Sequence, residues 1–431
     1  MITENQMLDI LFEEVVPAEG CTEPIALAYI GAKVREILGA IPNKVQIHVS
    51  GNIIKNVKSV IIPNSGGMIG IESAVALGII AGDSSKELMV ISELNDEDIE
   101  KTKQFMKEAD IRIIHEPTDI KLYILIKAQS DTDDASVEVK HIHTNITKIE
   151  RNGEILLKRP CNDSDFNSPV KDREKLTLKA IYDVAQNVEL SKIEPLFDKV
   201  IKMNSAIADE GLKGTYGINI GQIIRENIKN GIYGDDARNN AASYAAAGAD
   251  ARMSGCPLPV MTASGSGNQG ITASLALIEY ARYTNSSKEN LIRALFFSHM
   301  ATVHIKTNVG RLSAYCGVVC AAAAFSGALC LIQDKSFEVV SHAITNTLGD
   351  ISGIICDGAK ASCAKKIATS MYAAFDGATL ACAGRYLHGG DGIIDDDVEK
   401  TLMNIRTLSQ SGMKITDEVI IDIMSNNSNR R

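Results

Sequence analysis

Cysteines that could hold a metal stand in the second half of the chain. Cys316 and Cys320 occur in Tyr-Cys-Gly-Val-Val-Cys, on one face of a predicted helix. Cys356 and Cys363 occur in Ile-Cys-Asp-Gly-Ala-Lys-Ala-Ser-Cys. Thiolates are soft ligands that suit zinc or an iron-sulfur cluster. None of the compact ferredoxin or zinc-ribbon spacings is present, and free cysteine is among the most buried residue types. These cysteines therefore predict either a metal site or small apolar filler in a helical core.

Cys21 stands apart from the others, at a turn that opens a helix, in Pro-Ala-Glu-Gly-Cys-Thr-Glu-Pro (17–24). Backbone N–H groups and the helix dipole at such a turn stabilise a thiolate, so we expect a lowered thiol pKa. A thiolate there would be a base or a nucleophile. The same pattern is also typical of a helix start capped by Thr22, in which Cys21 is only a turn residue.

A glycine-rich segment, residues 264–270, precedes another predicted helix with the sequence Ser-Gly-Ser-Gly-Asn-Gln-Gly. Its amides could form a nest for a carboxylate or a phosphate, with Ser266 and Asn268 as the polar side chains. No strand of a βαβ unit leads into it and no Lys-Ser/Thr pair follows, which excludes a dinucleotide fingerprint and a P-loop. The alternative is a flexible turn without a ligand.

Cationic and imidazole side chains indicate a binding site less strongly than the cysteines do. Lys306 and Arg311, which precede Cys316, could hold a substrate carboxylate, although a solvated helix end explains the same charges. His141 and His143 alternate as in a strand, and without a third ligand nearby they do not indicate a metal site.

The composition limits the class of protein. A chain of 431 residues with 45% apolar and 23% charged residues predicts a folded protein of two or three domains. Its net charge of -10 disfavours binding to nucleic acid or to an anionic membrane. Because the N-terminus lacks signal-peptide character and no apolar run approaches about 20 residues, we expect a cytoplasmic protein. Nine cysteines are then better interpreted as reduced thiols or metal ligands than as disulfides.

Hydrophobic periodicity divides the chain into three parts. Helical spacing at 10–16 and 24–38 predicts a helical arm. The next part alternates strands at 45–49, 58–62, 111–115, 123–128, 136–141 and 147–152 with helices at 68–81 and 97–109. After a polar segment at 160–173, nearly every periodic run is helical.

The predicted fold class is therefore α+β. It has a helical arm (1–42), an inserted small α/β domain (43–165) and a large all-helical domain (166–431). Since Cys21 lies far from Cys316 in sequence, a joint site requires the arm to pack back onto the helical domain, and we predict that it does.

Four motifs, in this order, resemble those of the L-cysteine desulfidase family, which is related to the alpha part of iron-sulfur L-serine dehydratases. They are Pro-Ala-Glu-Gly-Cys-Thr-Glu-Pro (17–24), Gly-Ser-Gly-Asn-Gln-Gly (265–270), Ser-Ala-Tyr-Cys-Gly (313–317) and Ile-Cys-Asp-Gly-Ala-Lys-Ala-Ser-Cys (355–363). The resemblance spans nearly the whole chain.

The resemblance implies a 4Fe-4S cluster held by Cys316, Cys356 and Cys363, with one iron open to substrate, and Cys21 as the base. It leaves the remaining five thiols as structural residues. The last two ligand cysteines are closer in sequence than in the serine dehydratases, which weakens serine as the substrate.

The function that the resemblance implies is elimination from L-cysteine to pyruvate, ammonia and sulfide without pyridoxal phosphate. Such an iron-sulfur lyase is expected to be oxygen-sensitive and to serve cysteine catabolism. The alternatives are dehydration of L-serine or another β-substituted amino acid, and a non-enzymatic iron-sulfur or thiol redox sensor. The expected partner is a small amino acid rather than nucleic acid or membrane, and a homo-oligomer is left open.

Overall fold

The computed structural model describes residues 2–161, 173–310, 312–390 and 392–427, with no side-chain detail for 425–427. The boundary predicted near residue 165 lies outside these ranges. The helices are α1 (Glu4–Glu14), α2 (Thr22–Leu38), α3 (Gly51–Val57), α4 (Gly70–Ala81), α5 (Asp96–Glu108), α6 (Leu178–Asn187), α7 (Leu190–Gly211), α8 (Ile220–Lys229), α9 (Ala237–Met253), α10 (Gly267–Thr284), α11 (Lys288–Val309), α12 (Gly317–Leu331), α13 (Phe337–Ile351), α14 (Ser362–Cys382), α15 (Val398–Thr407) and α16 (Lys414–Asn427). The strands are β1 (Pro17–Ala18), β2 (Lys44–Val49), β3 (Asp110–His115), β4 (Tyr123–Gln129), β5 (Asp134–Lys140), β6 (Ile146–Arg151), β7 (Glu154–Lys158) and β8 (Val260–Met261).

A six-stranded mixed sheet has the order β3-β2-β4-β5-β6-β7, in which only β2 and β3 pair in parallel. Alternate residues of β2 and β4, such as Val45, Ile47 and Ile126, are fully buried. They form one apolar core with helices α2 and α4. The alternation of apolar and polar residues therefore identifies a sheet that is covered on one face.

Helix α1 and most of the helices after residue 173 form a second and larger core around α12, a helix in which Ala321 to Ala324 and Phe325 have no exposed surface. Small side chains let α12 pack at once against α10, α11, α13 and α14. The predicted α+β class with a large helical part is confirmed. Among the described residues, no helix is both long and apolar enough to cross a bilayer.

The predicted arm is divided between the two cores. Helix α1, with a capping box between Thr3 and Gln6, packs in the helical core through Met7, Ile10 and Leu11. Helix α2 packs in the sheet core instead. Between them, β1 pairs antiparallel with β8, Pro17 opposite Met261, which places the start of α2 beside the start of α10.

Several segments differ from the sequence expectation. The strand predicted at 58–62 is wrong: the chain turns at Ser50 into helix α3, and Ile61 makes only an isolated bridge with Ile69. The partners of β2 are instead distant strands, so no hairpin forms at Gly51. Strand β7 and helix α16 were also not predicted. The sheet-edge residues Ile155 and Leu156 are half exposed, which weakens the burial pattern of β7.

Helices α2 and α4 approach so closely that Gly78 is required. A Cβ atom at Gly78 would lie 1.9 Å from the carbonyl oxygen of Ala28. We expect Gly78→Ala to lower the free energy of unfolding by about 3 kcal/mol, because the two backbones must move apart. Urea unfolding followed by circular dichroism measures this change.

The matched control is Gly353→Ala, where nothing lies within 4 Å of the added Cβ. That substitution should be neutral or slightly stabilising, because it only restricts the unfolded chain. Equal effects of the two substitutions would contradict the proposed backbone contact.

Candidate functional site

One cavity of about 110 Å³ lies where the two cores meet. Its wall includes Cys21, Cys316, Cys356 and Cys363. The sequence-predicted cysteines, contributed by both parts of the chain, are therefore brought together.

Four helices begin at this cavity. Cys21 is the N-cap residue of α2, Ser266 that of α10 and Cys316 that of α12, and Cys363 stands in the first turn of α14. Helix N-termini carry partial positive charge and unpaired N–H groups, so their convergence favours anions in the cavity.

Cys316 and Cys320 do not share a helix face, contrary to the sequence expectation. Helix α12 begins only at Gly317, because Tyr315 first bridges to Ile355 in an extended segment. Cys316 therefore lines the cavity, whereas Cys320 has no exposed surface within the helical core.

Cys316 and Cys356 form a coupled pair of thiols. Their segments are joined by the backbone, since the Cys356 N–H donates to the Ala314 carbonyl at 2.6 Å. A hydrogen bond between the two thiols lowers the pKa of Cys356 and raises the pKa of Cys316. The charges of Lys55 and Lys306 lower the pKa of Cys356 further, so Cys356 is the more acidic thiol of the pair.

The third cysteine of this wall, Cys363, is more isolated. Burial raises the pKa of its thiol, and its sulfur lies 3.7 Å from the Gly358 carbonyl oxygen. Across the described residues, no group of three or more His, Cys, Asp or Glu side chains is arranged to hold a metal ion. The three thiols share a wall rather than a single point.

The expected lowering of the pKa of Cys21 is wrong for this structure. Burial raises the pKa of this thiol to about 12, although the charge of Arg252 opposes the shift. Cys21 is 2% exposed and packs with Val60 and Met253, and Cys363 lies against the same cluster. The apolar surroundings therefore outweigh the helix N-terminus.

Three of the four residues predicted to hold a substrate carboxylate line the cavity: Ser266, Asn268 and Lys306. The fourth, Arg311, lies outside the described residues. Asn268 accepts a hydrogen bond from Nη1 of Arg252 at 3.0 Å, so its side-chain oxygen is already engaged. The loop before α10 is tightly turned, with Ser264 and Gly265 both at positive φ.

Sequence reasoning missed four charged or ionisable residues on the cavity wall: Glu23, Lys55, His143 and Arg252. Glu23 stands in a motif that was noted only for its cysteine. Arg252 ends an alanine-rich helix and is 4% exposed, a burial that its sequence context could not reveal.

Glu23 is a carboxylate with several partners and a side chain that is 12% exposed. Its Oε1 atom accepts from the Asn56 side chain at 3.0 Å and lies 3.9 Å from Nε2 of His143, an ion-pair distance rather than a hydrogen bond. Burial opposes ionisation, but His143 outweighs it and lowers the pKa of Glu23 to about 2.

The amino-acid sequence matches the model of a known family. The family model described as "Serine dehydratase alpha chain" matches residues 85–422. The chain belongs to this family. The match implies a dehydratase-like or other lyase-like enzyme, and the predicted relationship to the alpha part of serine dehydratases is confirmed.

Full-length relatives of this serine dehydratase alpha chain member are named UPF0597 proteins. One from Fusobacterium nucleatum is 58% identical over 98% of this chain and 99% of its own length. Another, from Desulfitobacterium hafniense, is 45% identical over 97% and 96% respectively. The family match contains Cys316, Cys356 and Cys363, whereas Cys21 precedes it.

Helix α16 contacts Lys55, a residue of the cavity wall, on the side away from the cavity. Lys55 on α3, which is 4% exposed, donates to Oδ1 of Asp417 at 2.6 Å, and Asn52 donates to Oδ2 at 2.7 Å. Burial would raise the pKa of Asp417, but the Lys55 ammonium outweighs it and holds that pKa below its usual range. Gly358, at φ +95°, lies against the Lys55 carbonyl, where a Cβ would be 2.5 Å away.

We expect Asp417→Asn to lower the free energy of unfolding by about 3 kcal/mol, because it leaves the buried Lys55 charge without a counterion. Urea unfolding measures the loss. Asp119→Asn is the control, since it breaks the exposed ion pair with Lys414 and should have no measurable effect. A stability for Asp417→Asn equal to that of this control would refute the role of the buried pair.

Proposed function

We propose that this protein is an iron-sulfur-dependent lyase that eliminates sulfide from L-cysteine without pyridoxal phosphate. The observation that carries the proposal is the set of four thiols, Cys21, Cys316, Cys356 and Cys363, on the wall of one small cavity between the two cores.

The donor chemistry of this wall fits a 4Fe-4S cluster held by Cys316, Cys356 and Cys363. A single ion needs its ligands within about 2.3 Å of one point, whereas the thiolates of a cluster attach to different irons and stand further apart. Three thiols on one cavity wall supply the kind and number of ligands that such a cluster with one open iron would need. The charges of Lys55 and Lys306 favour the thiolate form of Cys356. When bound, the cluster would supply a Lewis-acidic iron for the leaving sulfur or oxygen.

Cys21 is the proposed base for the Cα proton of the substrate. It stands on the opposite part of the chain from the three ligand cysteines, at the start of α2. Base function requires its thiolate, and Arg252 is the charge that favours that form.

The reaction of the substrate then balances without an oxidant. Loss of the Cα proton and of the Cβ–S bond gives aminoacrylate and hydrogen sulfide. Aminoacrylate tautomerises to an imine, and water converts it to pyruvate and ammonia.

L-Serine is the second candidate substrate, favoured by the description of the matched family. L-Cysteine is favoured by the short separation of Cys356 and Cys363 along the sequence, and by the resemblance to cysteine desulfidases. Anaerobically purified protein should release sulfide and pyruvate in equal amounts from L-cysteine and little pyruvate from L-serine. The reverse preference would identify a serine dehydratase, and an intact cluster with no turnover of either would favour a redox sensor.

Substitution of the thiols separates their roles. We expect Cys316→Ala, Cys356→Ala and Cys363→Ala each to abolish both bound iron and turnover, because each removes a ligand. Cys21→Ala should keep the iron and its absorbance while turnover falls at least about 100-fold, the contribution of a positioned base. Iron analysis, visible absorbance and pyruvate release measure these outcomes.

Cys320→Ala is the control for the thiol series. Its side chain is fully buried away from the cavity wall, so iron content and turnover should both remain near those of the unsubstituted protein. Retained turnover in Cys21→Ala would overturn the base assignment, and retained iron in all three ligand variants would overturn the cluster assignment.

Exposure to air tests the cluster separately. A cluster with an open iron is accessible to oxygen, so we expect turnover to disappear in air and to return after anaerobic reconstitution with iron and sulfide. Activity that survives air unchanged would contradict this prediction.

A further inference from the structure

We propose that Arg252 and Glu23 recognise the charged head of a free α-amino acid, Arg252 binding its carboxylate and Glu23 its ammonium group. The inference rests on the proposed function and names the recognition chemistry of the same cavity. It replaces the glycine-rich turn with Arg252 as the main partner of the carboxylate.

Arg252 has unused hydrogen-bonding capacity in a buried place. Its side chain lines the cavity and is 4% exposed. Nη1 is bound to Asn268, but Nε is buried without a hydrogen-bond partner. A guanidinium presents a planar fork that matches a carboxylate, and a buried unpaired donor is costly. A carboxylate beside it would also face the N-terminus of α10, which begins at Gly267.

Glu23 is held as a fixed anion on the same wall. Thr22 donates to its Oε2 at 3.1 Å and Asn56 donates to its Oε1 at 3.0 Å. Arg252 is near enough to act electrostatically on Glu23, yet the two form no ion pair. The ion-pair partner of Glu23 is His143, at 3.9 Å. The described cavity wall therefore carries a cation and an anion that are not paired with each other, as recognition of a zwitterion requires.

Cys21 lies within the influence of both charges, since Arg252 and Glu23 shift its thiol pKa in opposite directions. An amino acid with its carboxylate on Arg252 and its ammonium group on Glu23 would have its Cα hydrogen between these two side chains, next to the Cys21 sulfur. Its side chain would then extend toward the cysteines of the other core.

The cavity lysine Lys55 acts elsewhere. Lys55 is committed to Asp417 at 2.6 Å. Met253, which follows Arg252 in the chain, packs against Cys21. Arg252 is therefore the cation on the Cys21 side of the cavity.

Two analogues that share a thiol but carry one charge each test the assignment. 3-Mercaptopropionate has the carboxylate without the ammonium, and cysteamine has the ammonium without the carboxylate. Binding of each to anaerobically purified protein is measured by calorimetry, which requires no turnover. Because the thiol is common to both, its own interactions cancel in the comparison.

We expect a crossed pattern. Arg252→Gln should weaken 3-mercaptopropionate about 10- to 100-fold, the range for a lost charge-assisted hydrogen bond, and leave cysteamine within about 3-fold. Glu23→Gln should do the opposite. Arg252→Lys, which keeps the charge but loses the planar fork, should recover part of the affinity for 3-mercaptopropionate.

Arg238→Gln is the matched control, because it removes an arginine from the same helix at an exposed ion pair with Asp376. It should bind both analogues like the unsubstituted protein, and circular dichroism should show all variants folded. Parallel loss of both analogues in each variant, or no binding by the unsubstituted protein, would overturn the assignment. A crossed pattern without turnover of L-cysteine would refute the proposed reaction while upholding this recognition.

Discussion

The positive electrostatic character of one small buried cavity is the constraint on which the rest of the structure depends. Helices α2, α10, α12 and α14 begin at it, and Lys55, Lys306 and Arg252 are buried in its wall. Positive charge in a desolvated place is costly unless anions lie close to it, as Asp417 does to Lys55. Thiolates, a fixed glutamate and an incoming carboxylate are anions of the required kind.

Two separate apolar cores hold this arrangement together. The first thiol is presented by α2, which belongs to the sheet core, and the other three are presented by elements of the helical core. The contacts that join the two parts near the cavity include the short pairing of β1 with β8 and the ion pair of Lys55 with Asp417. The distance between the candidate base and the candidate ligands is therefore set by packing between cores rather than within one.

Much of this architecture could be predicted from local sequence. Helix α5 begins where Asn95 and Asp98 form a capping box, and the alternation of β2, β4 and β5 matches their buried faces. The cysteines of the cavity could be predicted because they stand in motifs. Residues 58–62 could not, since a short apolar run fits a strand and a buried turn equally well. The cavity also includes Arg252, Lys55 and His143, which are brought there by contacts with residues distant in sequence. The sequence could not reveal this, because a single charged residue on a helix is usually exposed to solvent. The pKa of Cys21 was predicted in the wrong direction because its helix position was known from the sequence but its burial was not.

The division of the site between two cores also separates catalytic competence from folding. A small rotation of one core against the other would part Cys21 from Cys316 while leaving the described helices within each core intact. Low urea concentrations or moderate heating should therefore abolish turnover while the circular dichroism spectrum is still native. Turnover should return when the protein is transferred back to buffer. In such a protein the time for which activity persists depends on the contacts between the two cores, not on the stability of either core alone.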